Sequence, residues 1–304
     1  MRAIVIRSPG PAEALGTIHL PTPEPGSGEI CINVSAAGVN PVDLQTRSGL
    51  YQSLGWIHQT ETTGLGWEVS GHVDAVGTDV EGFKIGDPVA ALRDQLDAPL
   101  GTYAEQVVVP ATAAALVPAG LDLTSAASVP LNALTALQAL DLLEPPEPEA
   151  TLLVTGAAGA VGGYAVTLAK QRGWKVSALA RAADAAFARA AGADALMTDL
   201  AGYDRAFDAA FDPANLVAPV IAAIRDGGTY LGVIPPQVPA SERGIHTAAV
   251  VAHHDAGQLA GLLAATAAGQ LPPRIAGILP LDQAAEAHRR LEAGGSRGRW
   301  LLVP

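Results

Sequence analysis

The sequence is nearly without cysteine. Cys31 is the only one in 304 residues, which rules out an intrachain disulfide and any cysteine cluster for a metal. Positive charge is also scarce, with 18 Lys and Arg against 30 Asp and Glu and a net charge of −12. A nucleic-acid binder needs a basic face to displace counterions, and anionic membranes attract basic segments, so neither partner is expected. No apolar run is long enough to cross a bilayer. The opening Met1-Arg2-Ala3-Ile4-Val5-Ile6 is a short β-rich run without the features of a secretory leader, and a cytoplasmic location is expected. No Gly-Lys-Ser/Thr occurs, so there is no P-loop.

What the chain does have is material for a core. Hydrophobic residues make up 49% and charged residues 16%, the balance of a globular protein with one large or two ordinary domains. Its first 118 residues have strand-and-turn texture. Ile30–Val34, Val69–Val76 and Tyr103–Val109 read as strands, and Phe83–Val89 as a turn entering another, suggesting a small β-barrel or sandwich. After Pro118 the texture changes. Leu121–Leu143 reads as two short helices divided at Pro130, and Pro145-Pro146-Glu147-Pro148 as a stiff linker. Strands then alternate with helices. Thr151–Thr155, Lys175–Leu179, Phe207–Phe211 and Thr229–Val233 read as strands. Val161–Arg172, Ala182–Ala191 and Leu216–Ile224 read as helices. This alternation predicts an α/β fold with a doubly wound parallel sheet. Leu281–Leu291 reads as an amphipathic helix and Trp300–Val303 as a final strand.

The main motif, Thr155-Gly156-Ala157-Ala158-Gly159-Ala160-Val161-Gly162, falls between a predicted strand and a predicted helix, where a phosphate-binding turn belongs. Gly159 would let the backbone approach a pyrophosphate. Gly162 would allow tight helix–strand packing, and the N-terminus of the Val161 helix would face the phosphates. Ala157 occupies the first glycine position of G-x-G-x-x-G, so the pattern is G-x-x-G-x-x-G. A short-chain dehydrogenase site can be tested directly, because it needs a tyrosine with a lysine four residues later. Tyr51, Tyr103, Tyr164, Tyr203 and Tyr230 are followed at that spacing by Gly55, Val107, Leu168, Phe207 and Ile234, and none is lysine.

Further stretches carry a resemblance. They are Ala37-Gly38-Val39-Asn40-Pro41-Val42-Asp43, Arg47-Ser48-Gly49-Leu50-Tyr51, Gly66-Trp67-Glu68-Val69-Ser70-Gly71 and Gly82-Phe83-Lys84-Ile85-Gly86-Asp87-Pro88-Val89. Gly101-Thr102-Tyr103-Ala104-Glu105, Thr135-Ala136-Leu137-Gln138-Ala139-Leu140 and the tail from Glu286-Ala287-His288 to Gly298 complete the series. With the glycine turn, the chain resembles the medium-chain dehydrogenase/reductase superfamily, most closely its zinc-free quinone oxidoreductase (zeta-crystallin-like) branch. The resemblance implies a GroES-like β-rich catalytic domain over residues 1–118, completed by 268–304, and a Rossmann domain over 119–267. Zinc-dependent members have a Cys ligand near the position of Asn40 and a Gly-His-Glu where this chain has Gly66-Trp67-Glu68. Both ligands are missing here, so no metal is expected. His253-His254-Asp255 reads as a solvated turn rather than a metal cluster.

Without a Lewis acid the chemistry that suits the chain is hydride delivery to an acceptor already electrophilic, a quinone or an α,β-unsaturated carbonyl. By resemblance, Asn40 would contact the nicotinamide ribose or the substrate. Tyr51 would donate to a substrate oxygen or be a packed aromatic, and Trp67 would wall the pocket or belong to the core. Thr135 resembles a cofactor-contacting threonine. Val233 and Ile234 would lie at the nicotinamide carboxamide. Gly156, Ala158, Gly159, Ala160, Val161 and Gly162 would form the phosphate turn. No side chain stands out as a general acid, which leaves solvent as a source of the second proton. Arg181, 19 residues beyond Gly162 and followed by no acid until Asp184, predicts NADPH over NADH, with a solvated surface arginine as the alternative. An enoyl-thioester reductase and a non-catalytic NADPH-binding protein remain open on the same scaffold. Gly244–Val251 reads as an apolar edge strand, and the resemblance implies a homodimer paired through it.

Overall fold

The computed structural model describes residues 1–304. The chain divides into two compact units, Met1–Leu131 with His253–Pro304, and Asn132–Ala252.

The second unit carries a six-stranded, wholly parallel sheet. Its spatial order is Ala195–Met197, Lys175–Leu179, Thr151–Val154, Phe207–Phe211, Ile224–Gly232 and His246–Ala249. Counted along the unit, this is order 3-2-1-4-5-6, that of the Rossmann fold. The central strands are buried and apolar, with Leu152, Leu153, Val154, Ala209, Ala210 and Phe211 at most 2% exposed, as strands covered on both faces must be. The order reverses between Thr151–Val154 and Phe207–Phe211, and open α/β sheets bind ligands outside the carboxyl ends of strands at that place. The helix after the glycine turn spans Ala160–Gln171. The expected helix over 182–191 becomes a 3-10 turn, Ala182–Asp184, and a helix, Ala185–Ala190. The expected helix from Leu216 starts only at Ala218, because Val217 holds φ +56°, outside the helical region. The expected outer strand is present as His246–Ala249 and forms the sheet edge. Ala195–Met197 carries no sequence pattern, being three residues of which only Met197 is buried.

The first unit is built on a seven-stranded sheet. Ile275–Pro280, Arg299–Val303, Glu29–Val39, Glu68–Val76, Pro88–Leu92 and Ala114–Leu116 follow one another, and Gln106–Pro110 also pairs with Glu29–Val39. Apart from the parallel pair at its C-terminal edge, the ladders are antiparallel. The C-terminal strand joins by placing Leu301 opposite Gly38. Cys31 lies inside the strand Glu29–Val39, fully buried, and burial pushes its thiol up to about 11.

Three helices lie where the sequence reading placed none. Pro41–Ser48 is helical, so Asn40 is a helix N-cap rather than a free turn residue, and Leu50–Ser53 forms a further helical turn holding Tyr51. Ala256–Ala267 is also a helix, capped by Asp255 accepting from Gln258 N at 2.8 Å. The stretch around His253 is therefore not simply solvated: His254 Nδ1 lies 2.9 Å from Asp94 Oδ1.

Candidate functional site

In the Rossmann unit the glycine turn is shaped by one left-handed residue and one close approach. Gly156 takes φ +53°, so the left-handed position falls there and not at Ala157, which accounts for an alanine in the first glycine place of the motif. Ala157 is instead an ordinary buried residue whose N–H donates to Leu179 O at 3.2 Å. A Cβ on Gly162 would lie 2.2 Å from Gly156 O, so the first helical turn and the loop can pack this closely only around glycine. Gly159 is the N-cap, and no side chain caps the helix it opens. That leaves the first amides of the helix for a ligand or water.

A buried carboxylate holds the turn from below. Asp212, at the end of strand Phe207–Phe211, accepts from Thr155 Oγ1, from Val217 N at 2.8 Å and from Tyr230 OH at 3.1 Å. Thr155 Oγ1 in turn accepts from Ala214 N at 3.1 Å. The ends of three neighbouring strands are thus tied together beneath Gly156. Asp212 and Tyr230 carry no motif signal, because their roles depend on strand order and not on local spacing.

Arg181 lies just beyond strand Lys175–Leu179, exposed, and no other side chain of the protein pairs with it. Val233 and Ile234 follow strand Ile224–Gly232 and are half-buried. Ile234 O accepts from Gln237 N at 2.9 Å. Thr135 is buried in the helix Pro130–Asp141.

In the first unit, Asn40 and Glu68 are brought together. Asn40 Nδ2 donates to Glu68 Oε1 at 2.9 Å, and Leu131 N donates to Glu68 Oε2 at 2.9 Å. An N-cap asparagine normally spends its side chain on the helix amides. Here it turns away to Glu68 and leaves its Oδ1 buried without a partner. The helix is served instead by Asp43, whose Oδ2 accepts from Asn40 N at 2.8 Å. Both carboxylates are fully buried, and burial pushes Asp43 up to about 6 and Glu68 up to about 7. Asp43 could have been anticipated from the Asn-Pro-x-Asp spacing of a helix start.

Trp67 is half-buried beside Glu68, and its carbonyl accepts from Arg93 N at 2.6 Å. Tyr51 is buried, stacks on Trp56 with centroids 5.7 Å apart and donates to Gln45 Oε1 at 2.5 Å. Burial raises its hydroxyl to about 12. The residues at the zinc-ligand positions do not fit a metal ion. Both oxygens of Glu68 are taken by Asn40 Nδ2 and Leu131 N, an indole offers no lone pair, and no group of three His, Cys, Asp or Glu side chains is placed to hold an ion.

Two domain models match the chain: an alcohol dehydrogenase GroES-like domain over residues 26–119 and a zinc-binding dehydrogenase domain over residues 178–302. The chloroplast envelope quinone oxidoreductase homolog of Arabidopsis thaliana is 34% identical over 193 residues, 62% of this chain. The match spans only 57% of that relative's length. The chloroplastic NADPH-dependent alkenal/one oxidoreductase of Arabidopsis thaliana is 27% identical over 94% of this chain and 75% of its own. Among solved structures, the quinone oxidoreductase from Coxiella burnetii superposes with a TM-score of 0.91 at 29% identity, covering 100% of this chain and 99% of that one. The GroES-like unit, the Rossmann order with its glycine turn and these likenesses agree, and the chain belongs to the medium-chain dehydrogenase/reductase superfamily, in its quinone oxidoreductase-like branch.

Proposed function

We propose that the protein is an NADPH-dependent, zinc-independent oxidoreductase that reduces a quinone or an α,β-unsaturated carbonyl. The observation that carries this reading is the glycine turn at the switch point with Arg181, unpaired, at the end of the next strand. The residues present fit a dinucleotide phosphate: Ala160, Val161 and Gly162 open an uncapped helix with their amides toward it, Gly156, Ala158 and Gly159 are assigned to the turn around it, and Arg181 supplies a guanidinium for the 2′-phosphate. Thr135, Val233 and Ile234 are assigned to the nicotinamide end. When bound, the reduced nicotinamide supplies a hydride equivalent.

The chain's own residues then bind and orient. Asn40 is assigned to the substrate or nicotinamide ribose, and its side chain is held by Glu68. Glu68 is engaged at both oxygens by Asn40 and Leu131, and the second proton is assigned to solvent. Trp67 and Tyr51 are assigned to the pocket walls. Tyr51 can donate to a substrate oxygen only by giving up Gln45. The absence of zinc-fitting residues favours acceptors that need no Lewis acid, in line with the quinone and alkenal/one reductases among the relatives.

The test is to follow NADPH and NADH consumption against a panel of quinones, enones, enoyl thioesters and simple aldehydes. Turnover of a quinone or enone with NADPH supports the reading. Preference for NADH, turnover confined to aldehydes or to enoyl thioesters, or binding without turnover, overturns it.

A further inference from the structure

A buried chain of polar side chains runs behind Asn40 in the first unit, and the mechanism above does not use it. Glu292 pairs with Arg47. Arg47 Nη1 lies 3.3 Å from His288 Nδ1, His288 Nε2 lies 3.2 Å from Tyr103 OH, and Tyr103 OH lies 3.1 Å from Asp43 Oδ2. Asp43 also accepts from Asn40 N at 2.8 Å and from Gly66 N at 2.7 Å. Asp43 and His288 are fully buried, Tyr103 is 1% exposed and Arg47 is 3% exposed.

The direction of every hydrogen bond in this chain follows from chemistry. A guanidinium can only donate, so Arg47 must donate to His288 Nδ1, and that nitrogen carries no proton. The ring proton therefore resides on Nε2 and is given to Tyr103 Oη. With its oxygen accepting there, Tyr103 has its single proton left for Asp43. Asp43 receives three donors and offers none, so it is a carboxylate. A protonated imidazole would set an N–H against Arg47. Burial and Arg47 accordingly press His288 down to about 3.

We propose that His288 is a positioning residue. Held as the neutral Nε2–H tautomer between Arg47 and Tyr103, it directs the Tyr103 proton onto Asp43. It thereby fixes Asn40 and the Gly66-Trp67-Glu68 segment from behind. The effect on catalysis rests on the assignment of Asn40 above; the effect on geometry does not. Gly66 has little freedom to adapt without its anchor, for it holds φ +93° and a Cβ there would lie 2.3 Å from Thr102 Oγ1.

The test compares His288→Gln with His288→Leu. A glutamine can keep the polarity of the chain, its oxygen accepting from Arg47 and its amide donating to Tyr103, whereas leucine cannot. Nitrogen-15 spectra of the wild-type protein at about pH 6, where a free histidine would be largely charged, should show His288 neutral with its proton on Nε2. The Asn40 and Gly66 backbone amide resonances should stay in place in His288→Gln and move in His288→Leu. Their exchange protection should fall about tenfold in His288→Leu. Quinone or enone turnover should follow the same split, kept within about threefold by glutamine and lowered about tenfold by leucine. A charged or Nδ1–H His288, or equal behaviour of the two variants, overturns the proposal. If His288→Leu does not fold, the wild-type spectra and the His288→Gln amides still decide it. A wild-type protein that turns over no quinone or enone removes the functional reading alone, because the tautomer and amide measurements need no substrate.

Discussion

Thr155 and Asp212 meet across the point where the strand order of the parallel sheet reverses. The threonine hydroxyl donates to the buried carboxylate directly beneath the glycine turn. The same hydroxyl accepts from Ala214 N, and the same carboxylate accepts from Val217 N and Tyr230 OH. Replacing Thr155 by valine keeps the shape but takes the acceptor from Ala214 N and removes a donor from the buried Asp212 carboxylate, a loss of about 1–3 kcal/mol. The expected outcome is NADPH binding weakened about tenfold or more, with Thr155→Ser close to wild type. Fluorescence titration of NADPH checks both.

Arg181 gives a discriminating variant. A charge-assisted contact to the 2′-phosphate contributes roughly 1.5–3 kcal/mol, so Arg181→Ala should weaken NADPH by about one to two decades and leave NADH little changed. Its free, exposed side chain gives no structural reason for loss of stability. Titration of both cofactors reads the difference, and equal effects on the two remove the assignment.

Glu68 and Asp43 predict an unusual pH dependence of stability. Burial raises both above their ordinary values, Glu68 to about 7 and Asp43 to about 6. A carboxylate with a raised folded pKa contributes stability that is full below its unfolded pKa and lost as pH rises through the folded one. For Glu68 that window runs from roughly pH 4.5 to 7, and the loss is on the order of 3 kcal/mol. Calorimetric melting of wild type and Glu68→Gln at acid and at alkaline pH should therefore show the difference moving in the variant's favour as pH rises. Activity should fall in the variant at all pH values, because Asn40 or Leu131 loses its acceptor.

The edge strand His246–Ala249 predicts self-association. Its outer side has no partner strand within the chain, and such edges are normally covered. Light scattering at micromolar concentration should give twice the 30.8 kDa chain mass. A monomer mass counts against the pairing.

The Rossmann sheet was legible because its central strands are continuous apolar runs and its turn is punctuated by glycine. The helix Pro41–Ser48 was not, and the reason is physical. Its buried positions are Asp43, Thr46 and Arg47, which have helical spacing but are polar, so the hydrophobic periodicity that marks a helix is absent. The helix Ala256–Ala267 buries Leu259, Leu262, Leu263 and Thr266 at regular spacing, a pattern muted by an alanine-rich exposed face. The network from Glu292 to Asp43 joins residues as much as 245 positions apart. Each is an ordinary residue in its own stretch, and only the fold gives them a common role.

The placement of Cys31 bears on how the protein survives its proposed substrates. Quinones and enones are alkylating agents that add to thiolates, and an exposed, ionised cysteine would be consumed by them. The one sulfhydryl of this chain is sealed within a strand, 0% exposed, with ionisation pushed up to about 11. The enzyme would thus offer no sulfur nucleophile to a Michael acceptor. Repeated turnover should leave its intact mass free of thioether adducts.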